Sequence, residues 1–281
     1  DNQNYAYAIN DLKDGLNNEY LKNDEKLTKQ IDTYVDEVIK KSDEFISAKN
    51  YDDAEDVVND IMYAFESGED NYKKLETQLT KVQTETPVYL QNIDLNSSDY
   101  FYRYQSGSKD VLGNAYEGNN VCTMSVSKYS PDSGAYAEMY VKDYKKVKGT
   151  LAVKQTSSSI SDATAYIEIL DNNKKVLYKS ETFTSKSKAV TFEVNITDVE
   201  WLTIRLVNAK KTANGTISVI LADVEFYKIG SSEPDAPVAT KETSNPETSK
   251  VETSKNESSA ESSTESSKAE SSKAESSNES S

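Results

Sequence analysis

The sequence predicts an α+β chain with an antiparallel helical bundle, then an antiparallel β-sandwich, then a disordered tail. Three observations predict it. Over residues 1–86 apolar side chains recur every three or four positions. From Tyr89 onward they alternate with polar ones. From residue 231 the chain turns to Ser, Glu, Lys and Thr, with few large apolar residues. A period near 3.6 marks an amphipathic helix, a period of two marks a half-buried strand, and the loss of both marks a solvated segment.

The helical stretch divides into four stripes. These are Tyr5, Ile9, Leu12 and Leu16; Leu27 through Ile46; Ala54 through Phe65; and Tyr72, Leu75, Leu79 and Val82. Gly68 is expected to stop the third helix and Asp70 to cap the fourth. Pro87 ends the region, because the residue before a proline avoids the helical basin. Short helices joined by short polar loops predict antiparallel hairpins over 1–86. This part holds 21 acids against 10 bases. Its run Asp52, Asp53, Glu55, Asp56 and Asp60 lacks the glycine and the alternating spacing of a calcium loop, so it reads as a solvated helix face. The region is expected to serve as a spacer or as a small bundle that meets a protein partner.

Residues 87–230 read as the sandwich. Val147, Gly149, Leu151 and Val153 alternate with polar residues, as do Ala165, Ile167 and Ile169. So do Val190, Phe192, Val194 and Ile196, and then Leu202, Ile204 and Leu206. Asp171-Asn172-Asn173 separates two such runs and predicts a hairpin. Short strands with one apolar face each require two packed antiparallel sheets. Lys142, Lys145, Lys146 and Lys148 are expected on a solvated strand edge. Tyr100, Tyr102 and Tyr104 lie on one side of an extended stretch and are expected to be half-buried.

In the tail, 231–281, Glu-Thr-Ser at 242, 247 and 252 gives way to repeated Glu-Ser-Ser. Such a segment cannot bury enough apolar surface to offset the entropy of ordering it. It reads as a flexible stalk or linker.

Composition excludes several functions. The chain has 281 residues and no histidine, so imidazole-based triads and metal sites are out. Cys122 is the one cysteine, so no intrachain disulfide forms, and no imidazole is present to activate the thiol. A net charge of −16 disfavours nucleic acid and anionic lipid as partners. No apolar run reaches the roughly 18 residues of a membrane span. The chain starts at Asp1, which fits an exported protein whose signal or anchor preceded it.

Four runs carry a family resemblance. They are GNAYEGN at 113–119, AYAEMYVKDYKKVKGTLAVKQ at 135–155, the long stretch from Thr164 to Leu206, and ISVILADVEFYK at 217–228. In this order they resemble the NPCBM family, the carbohydrate-binding module associated with glycoside hydrolase family 98. The resemblance implies a jelly-roll-like sandwich, export to a bacterial cell surface, and non-catalytic sugar binding. Where characterised members carry a His-Ala-Asp or Trp-rich stretch near the last strand, this chain reads Leu221-Ala222-Asp223, with no histidine.

Sugars are bound by aromatic faces and convergent polar groups. Trp201 precedes an inward-facing Leu202, so it points outward, either as an exposed platform or as a cross-strand packing residue. Arg205 lies on the same face and serves either as a bidentate donor or as half of an ion pair. Tyr116 and Asn114 sit in the GNAYEGN loop, and Tyr136 flanks the SPDSG loop at 130–134. These five residues are the expected carbohydrate site, with a glycan or polysaccharide as ligand. No catalytic residue, metal ligand or cofactor is assigned, although sandwiches of this kind have room for a structural calcium ion. The alternative function is a structural or protein-binding ectodomain that keeps the fold without the sugar.

Overall fold

A computed structural model describes residues 2–22, 24–155 and 162–236. The helices are α1 (Asn2–Leu16), α2 (Glu25–Ser47), α3 (Tyr51–Met62) and α4 (Asp70–Glu85). Their apolar stripes meet in one core built on Ile9, Val35, Val38, Val57, Ile61 and Leu75. Asp24 caps α2 by accepting from the Lys26 N–H at 2.8 Å. Two expected boundary signals are placed differently. Helix α3 ends at Met62, and Gly68 lies in the following loop with φ 120°. Asp70 is the first residue of α4 and Glu69 is its cap position, so the Asp70 carboxylate meets the helix dipole and caps nothing. Among the described residues no helix is long and apolar enough to cross a membrane.

Among the described residues thirteen strands follow. They are β1 (Val88–Tyr89), β2 (Leu95–Asp99), β3 (Phe101–Tyr102), β4 (Ser108–Lys109), β5 (Ala115–Tyr116), β6 (Val121–Ser127) and β7 (Ala135–Tyr140). Then come β8 (Tyr144–Val153), β9 (Ala165–Leu170), β10 (Val176–Lys179), β11 (Val190–Asn195), β12 (Trp201–Asn208) and β13 (Thr216–Lys228). One antiparallel sheet runs β11-β8-β13-β6-β3, with β1 also paired to β13. The other runs β10-β9-β12-β7-β2, and β4 and β5 form a separate hairpin.

Alternation decides which side of each strand is buried. Leu202, Ile204 and Leu206 of β12 are fully buried and share a core with Met124, Met139, Leu151, Ile167 and Leu221. Trp201, Thr203 and Arg205 therefore face outward. Strands β7 and β12 meet closely where β7 begins. Gly134 has φ 75°, and a Cβ there would stand 2.1 Å from the Leu206 carbonyl oxygen.

Two expectations about the surface are corrected. Strand β8 lies inside its sheet, between β11 and β13, so its lysines line no edge. Lys142 is exposed, but Lys146 is buried. Lys146 Nζ lies 3.1 Å from both Glu193 and Glu233 and donates to the Pro234 carbonyl at 2.6 Å. Lys148 pairs with the same Glu233 at 3.0 Å. Segment 231–236, which the sequence reading assigned to the tail, supplies this cover: Ser231 and Ala236 are buried, and Ser232 donates to Glu85 of α4. The rest of the expected tail, 237–281, lies outside the described residues. Tyr100, Tyr102 and Tyr104 are exposed at 46%, 48% and 67%. Tyr100 and Tyr104 take positive φ, which breaks the regular alternation a buried stripe would need.

Candidate functional site

The outward face of the five-stranded sheet carries a cleft of about 280 Å³, lined by Asn96, Glu138, Asp171, Asn172, Lys174, Trp201 and Thr203. Four pieces of chain assemble it: β2, β7, the β9–β10 turn and β12. The β9–β10 turn is fixed by Asp171, whose Oδ1 accepts from the N–H groups of Asn173 at 2.8 Å and Lys175 at 2.9 Å. This Asx-type turn sets Asn172 and Lys174 beside the start of β12. Strand β2 shifts register between Leu95 and Ser97, and Asn96 in that irregularity donates to Glu138 Oε1 at 2.6 Å. Glu138 and Thr203 are cross-strand partners on β7 and β12.

Trp201 forms the aromatic wall. It pairs with Tyr140 across the ladder, and the two rings meet edge to face with centroids 5.3 Å apart. The indole is half-buried and its partner is 43% exposed. Trp201 thus packs across strands and also borders the cleft, so the two readings of this residue are compatible.

Arg205 and Tyr136 lie on the same face, directly opposite each other. Arg205 donates to Glu168 Oε2 through Nε at 2.9 Å and Nη2 at 2.5 Å. Lys179 reaches the other Glu168 oxygen at 3.1 Å and stands over the Tyr166 ring at 3.9 Å. Burial pushes the Glu168 carboxyl up, but the hydrogen bonds from Arg205 and Lys179 outweigh it and hold the group below its ordinary range.

Asn114 and Tyr116 lie elsewhere. The carboxylate of buried Asp110 accepts from the N–H groups of Leu112 and Asn114, from Asn114 Nδ2 at 2.9 Å and from the Tyr116 hydroxyl at 3.3 Å. The Tyr116 ring packs on Val121, Ala152, Ile220 and Ala222, a small apolar patch on the outside of the other sheet. Burial, then the Asp110 charge, raises the Tyr116 phenol above its ordinary value. The five expected residues therefore divide. Trp201, Tyr136 and Arg205 share one face, while Asn114 and Tyr116 lock a turn against the other sheet.

Sequence reasoning missed Asn96, Glu138, Asn172 and Thr203. Strand alternation implied that Glu138 and Thr203 point outward, and the Asp-Asn-Asn turn placed Asn172 at a strand end. The placement of Asn96 depends on a register shift that composition does not show.

A cleft of about 320 Å³ lies where α3 begins, lined by Lys49–Asp53, Thr86, Pro87 and Tyr89. Its acidic residues Asp52 and Asp53 are exposed at a helix start, where they offset the helix dipole. Among the described residues no group of three or more His, Cys, Asp or Glu suits a metal ion. Cys122 is buried, which pushes its thiol up to about 12 and leaves it unreactive.

No protein-family model and no curated protein matches the chain. Solved structures similar to it include carbohydrate-binding modules, among them modules of a family 98 glycoside hydrolase. The CBM51-2 module with INT domains of Clostridium perfringens ZmpB, in complex with GlcNAc, is 7% identical with a TM-score of 0.43. That match covers 52% of this chain and 32% of the other, so the likeness spans about a third of that protein's length. The CBM51 of Clostridium perfringens GH95, in complex with methyl-galactose, is 13% identical over 50% of this chain and 99% of that one, at a TM-score of 0.40. The tandem CBM51 modules of the family 98 glycoside hydrolase from Streptococcus pneumoniae are 16% identical over 53% and 49%, at 0.42.

Proposed function

We propose that the protein is a non-catalytic glycan-binding protein of a bacterial cell surface, and that the Trp201 cleft holds the sugar. One observation carries the reading. A half-buried indole, braced edge-on by Tyr140, borders a cleft whose other walls are amides, carboxylates, a hydroxyl and an ammonium group. A sugar ring offers the matching surfaces, an apolar C–H face and a rim of hydroxyls. Asn96 and Asn172 supply donors and acceptors together, and Glu138 accepts. Affinity at one such site is modest. At about 0.3 kcal/mol per non-hydrogen atom, a hexose of about 12 such atoms gains about 3.6 kcal/mol, or a Kd of about 2 mM. The resemblance in residues 113–228 and the hydrophilic tail composition support export and surface display.

The experiment is a glycan array probed with the full chain, with calcium and with chelator in parallel. Reproducible binding to one sugar class, lost in a folded Trp201→Ala variant, is the expected result. A blank array with a folded protein would sink sugar binding over the glycans tested. The second reading, a structural or protein-binding ectodomain, draws on a specific observation. Arg205 is paired with Glu168, and Asn114 and Tyr116 are tied to Asp110, so three of the five expected residues have structural partners.

A further inference from the structure

The sheet register sets the residues of the outward face in rows. Trp201 stands opposite Tyr140, Thr203 opposite Glu138, and Arg205 opposite Tyr136. Successive rows are two residues apart along the same strands. The aromatic pair is therefore four residues from the Arg205–Tyr136 row, a distance of about 13 Å at about 3.3 Å per residue. Between them lie only Thr203 and Glu138, which already line the Trp201 cleft. On these two strands the row next to the cleft is Arg205 and Tyr136.

That row has the make-up of a second sugar contact. Tyr136 supplies a half-buried ring. Arg205 is held in place by Glu168, which is only 5% exposed, and Lys179 braces the same carboxylate. The hydrogen bonds to Glu168 use Nε and Nη2, so the other guanidinium nitrogen keeps its donors. A donor fixed by a buried partner loses little entropy when it binds a hydroxyl. The ring of Tyr166, by contrast, already carries the Lys179 ammonium at 3.9 Å.

We infer that Tyr136 and Arg205 form a second subsite in line with the Trp201 cleft, so that the sandwich takes a linear oligosaccharide lying along β7 and β12, and not a single terminal sugar. The inference rests on the reading of the Trp201 cleft as a sugar site. It identifies the ligand class as the internal stretch of a glycan chain.

The test uses the full chain and calorimetric titration with gluco-, xylo-, manno-, galacto- and N-acetylglucosamine oligosaccharides of one to six units. In the series that binds, affinity is expected to rise at least tenfold from one unit to four and then level off. Tyr136→Ala is expected to lower the ratio of tetrasaccharide to monosaccharide affinity about three- to tenfold, the effect of one lost ring contact. Arg205→Lys keeps a cation for Glu168 and loses the planar fork, and it is expected to lower the same ratio if Tyr136→Ala fails to fold. Equal affinity for one unit and four, or an equal loss at every length in both variants, would overturn the second subsite and leave the Trp201 site standing. A wild-type chain that binds none of these series would overturn the sugar reading itself, and the subsite with it.

Discussion

Trp201 and Tyr140 stand opposite each other on β12 and β7, with ring centroids 5.3 Å apart and planes inclined at 70°. Edge-to-face pairs of this kind contribute about 0.5–1.5 kcal/mol beyond their burial. Trp201 is the one tryptophan in the chain, so emission excited selectively from tryptophan reports on this site alone. Tyr140→Ala is expected to shift the emission to the red, as water reaches the indole edge, and to weaken sugar binding about two- to tenfold. An unchanged spectrum in a folded variant would show that Tyr140 does not brace the ring.

The Asp110 turn gives a second prediction, on the opposite sheet. Burial raises the Asp110 carboxyl, but hydrogen bonds from Asn114, Leu112 and Tyr116 outweigh it and hold the group below its ordinary value. Asp110→Ala leaves those donors without their acceptor and is expected to cost about 2–3 kcal/mol in urea unfolding at pH 7. Because the native carboxylate is favoured above its ordinary pKa, that gap shrinks as pH falls below about 4. Sugar binding at the Trp201 cleft should survive. A folded Asp110→Ala protein that has lost binding would move the site to Asn114 and Tyr116.

These two contacts show how much the sequence could say. The helical period identified Val35, Val57 and Ile61 as core, and all three are fully buried. Alternation around Leu202, Ile204 and Leu206 turned Trp201 and Arg205 outward, where they stand. What stayed hidden depends on contacts between distant parts of the chain. Lys146 looked like any exposed strand lysine, and its burial depends on Glu233 and Pro234, more than 80 residues later. Asn114 and Tyr116 carried the right chemistry for a ligand, but Asp110 four to six residues earlier takes it up. Asn96 joins the cleft through a register shift in β2 that no residue type announces.

Glu168 tests whether Arg205 is held by design of the face or by chance proximity. Glu168→Gln keeps the shape and removes the charge that Arg205 and Lys179 share. A loss of about 1.5–3 kcal/mol is expected at pH 7, the range for hydrogen bonds to charged groups. The native carboxyl is held below its ordinary pKa, so its contribution is complete above about pH 4.3 and fades as pH falls through the lowered value. Wild type and variant should therefore converge as pH falls through that lowered value. A gap of constant size from neutral pH down to the acid-unfolding limit would show that the charge has no part in it.

Glu233 ties the end of the sandwich to both β8 and the helices. Its carboxylate meets Lys146 at 3.1 Å, Lys148 at 3.0 Å and Lys49, beside the start of α3, at 3.6 Å. Its neighbour Ser232 donates from N–H and hydroxyl to Glu85 of α4. Lys228 at the end of β13 donates to the Gln83 carbonyl at 2.7 Å, so the clamp has two attachments on α4. Burial pushes the Glu233 carboxyl up, yet the hydrogen bonds from Lys148 and Lys146 bring it down to about 2. Glu233→Gln leaves Lys146 buried with Glu193 as its remaining anionic partner, and breaking such a pair costs about 3 kcal/mol. Amide exchange should quicken at Gln83–Thr86 and along β8 while the centre of the sandwich, at Leu202–Leu206, stays protected. In the wild-type chain the same regions should loosen only in acid, since the stabilisation is present above the ordinary carboxylate range and is lost toward about pH 2. Exchange that quickens evenly through both the helices and the sandwich would show a general loss of stability, and Glu233 would then be no clamp.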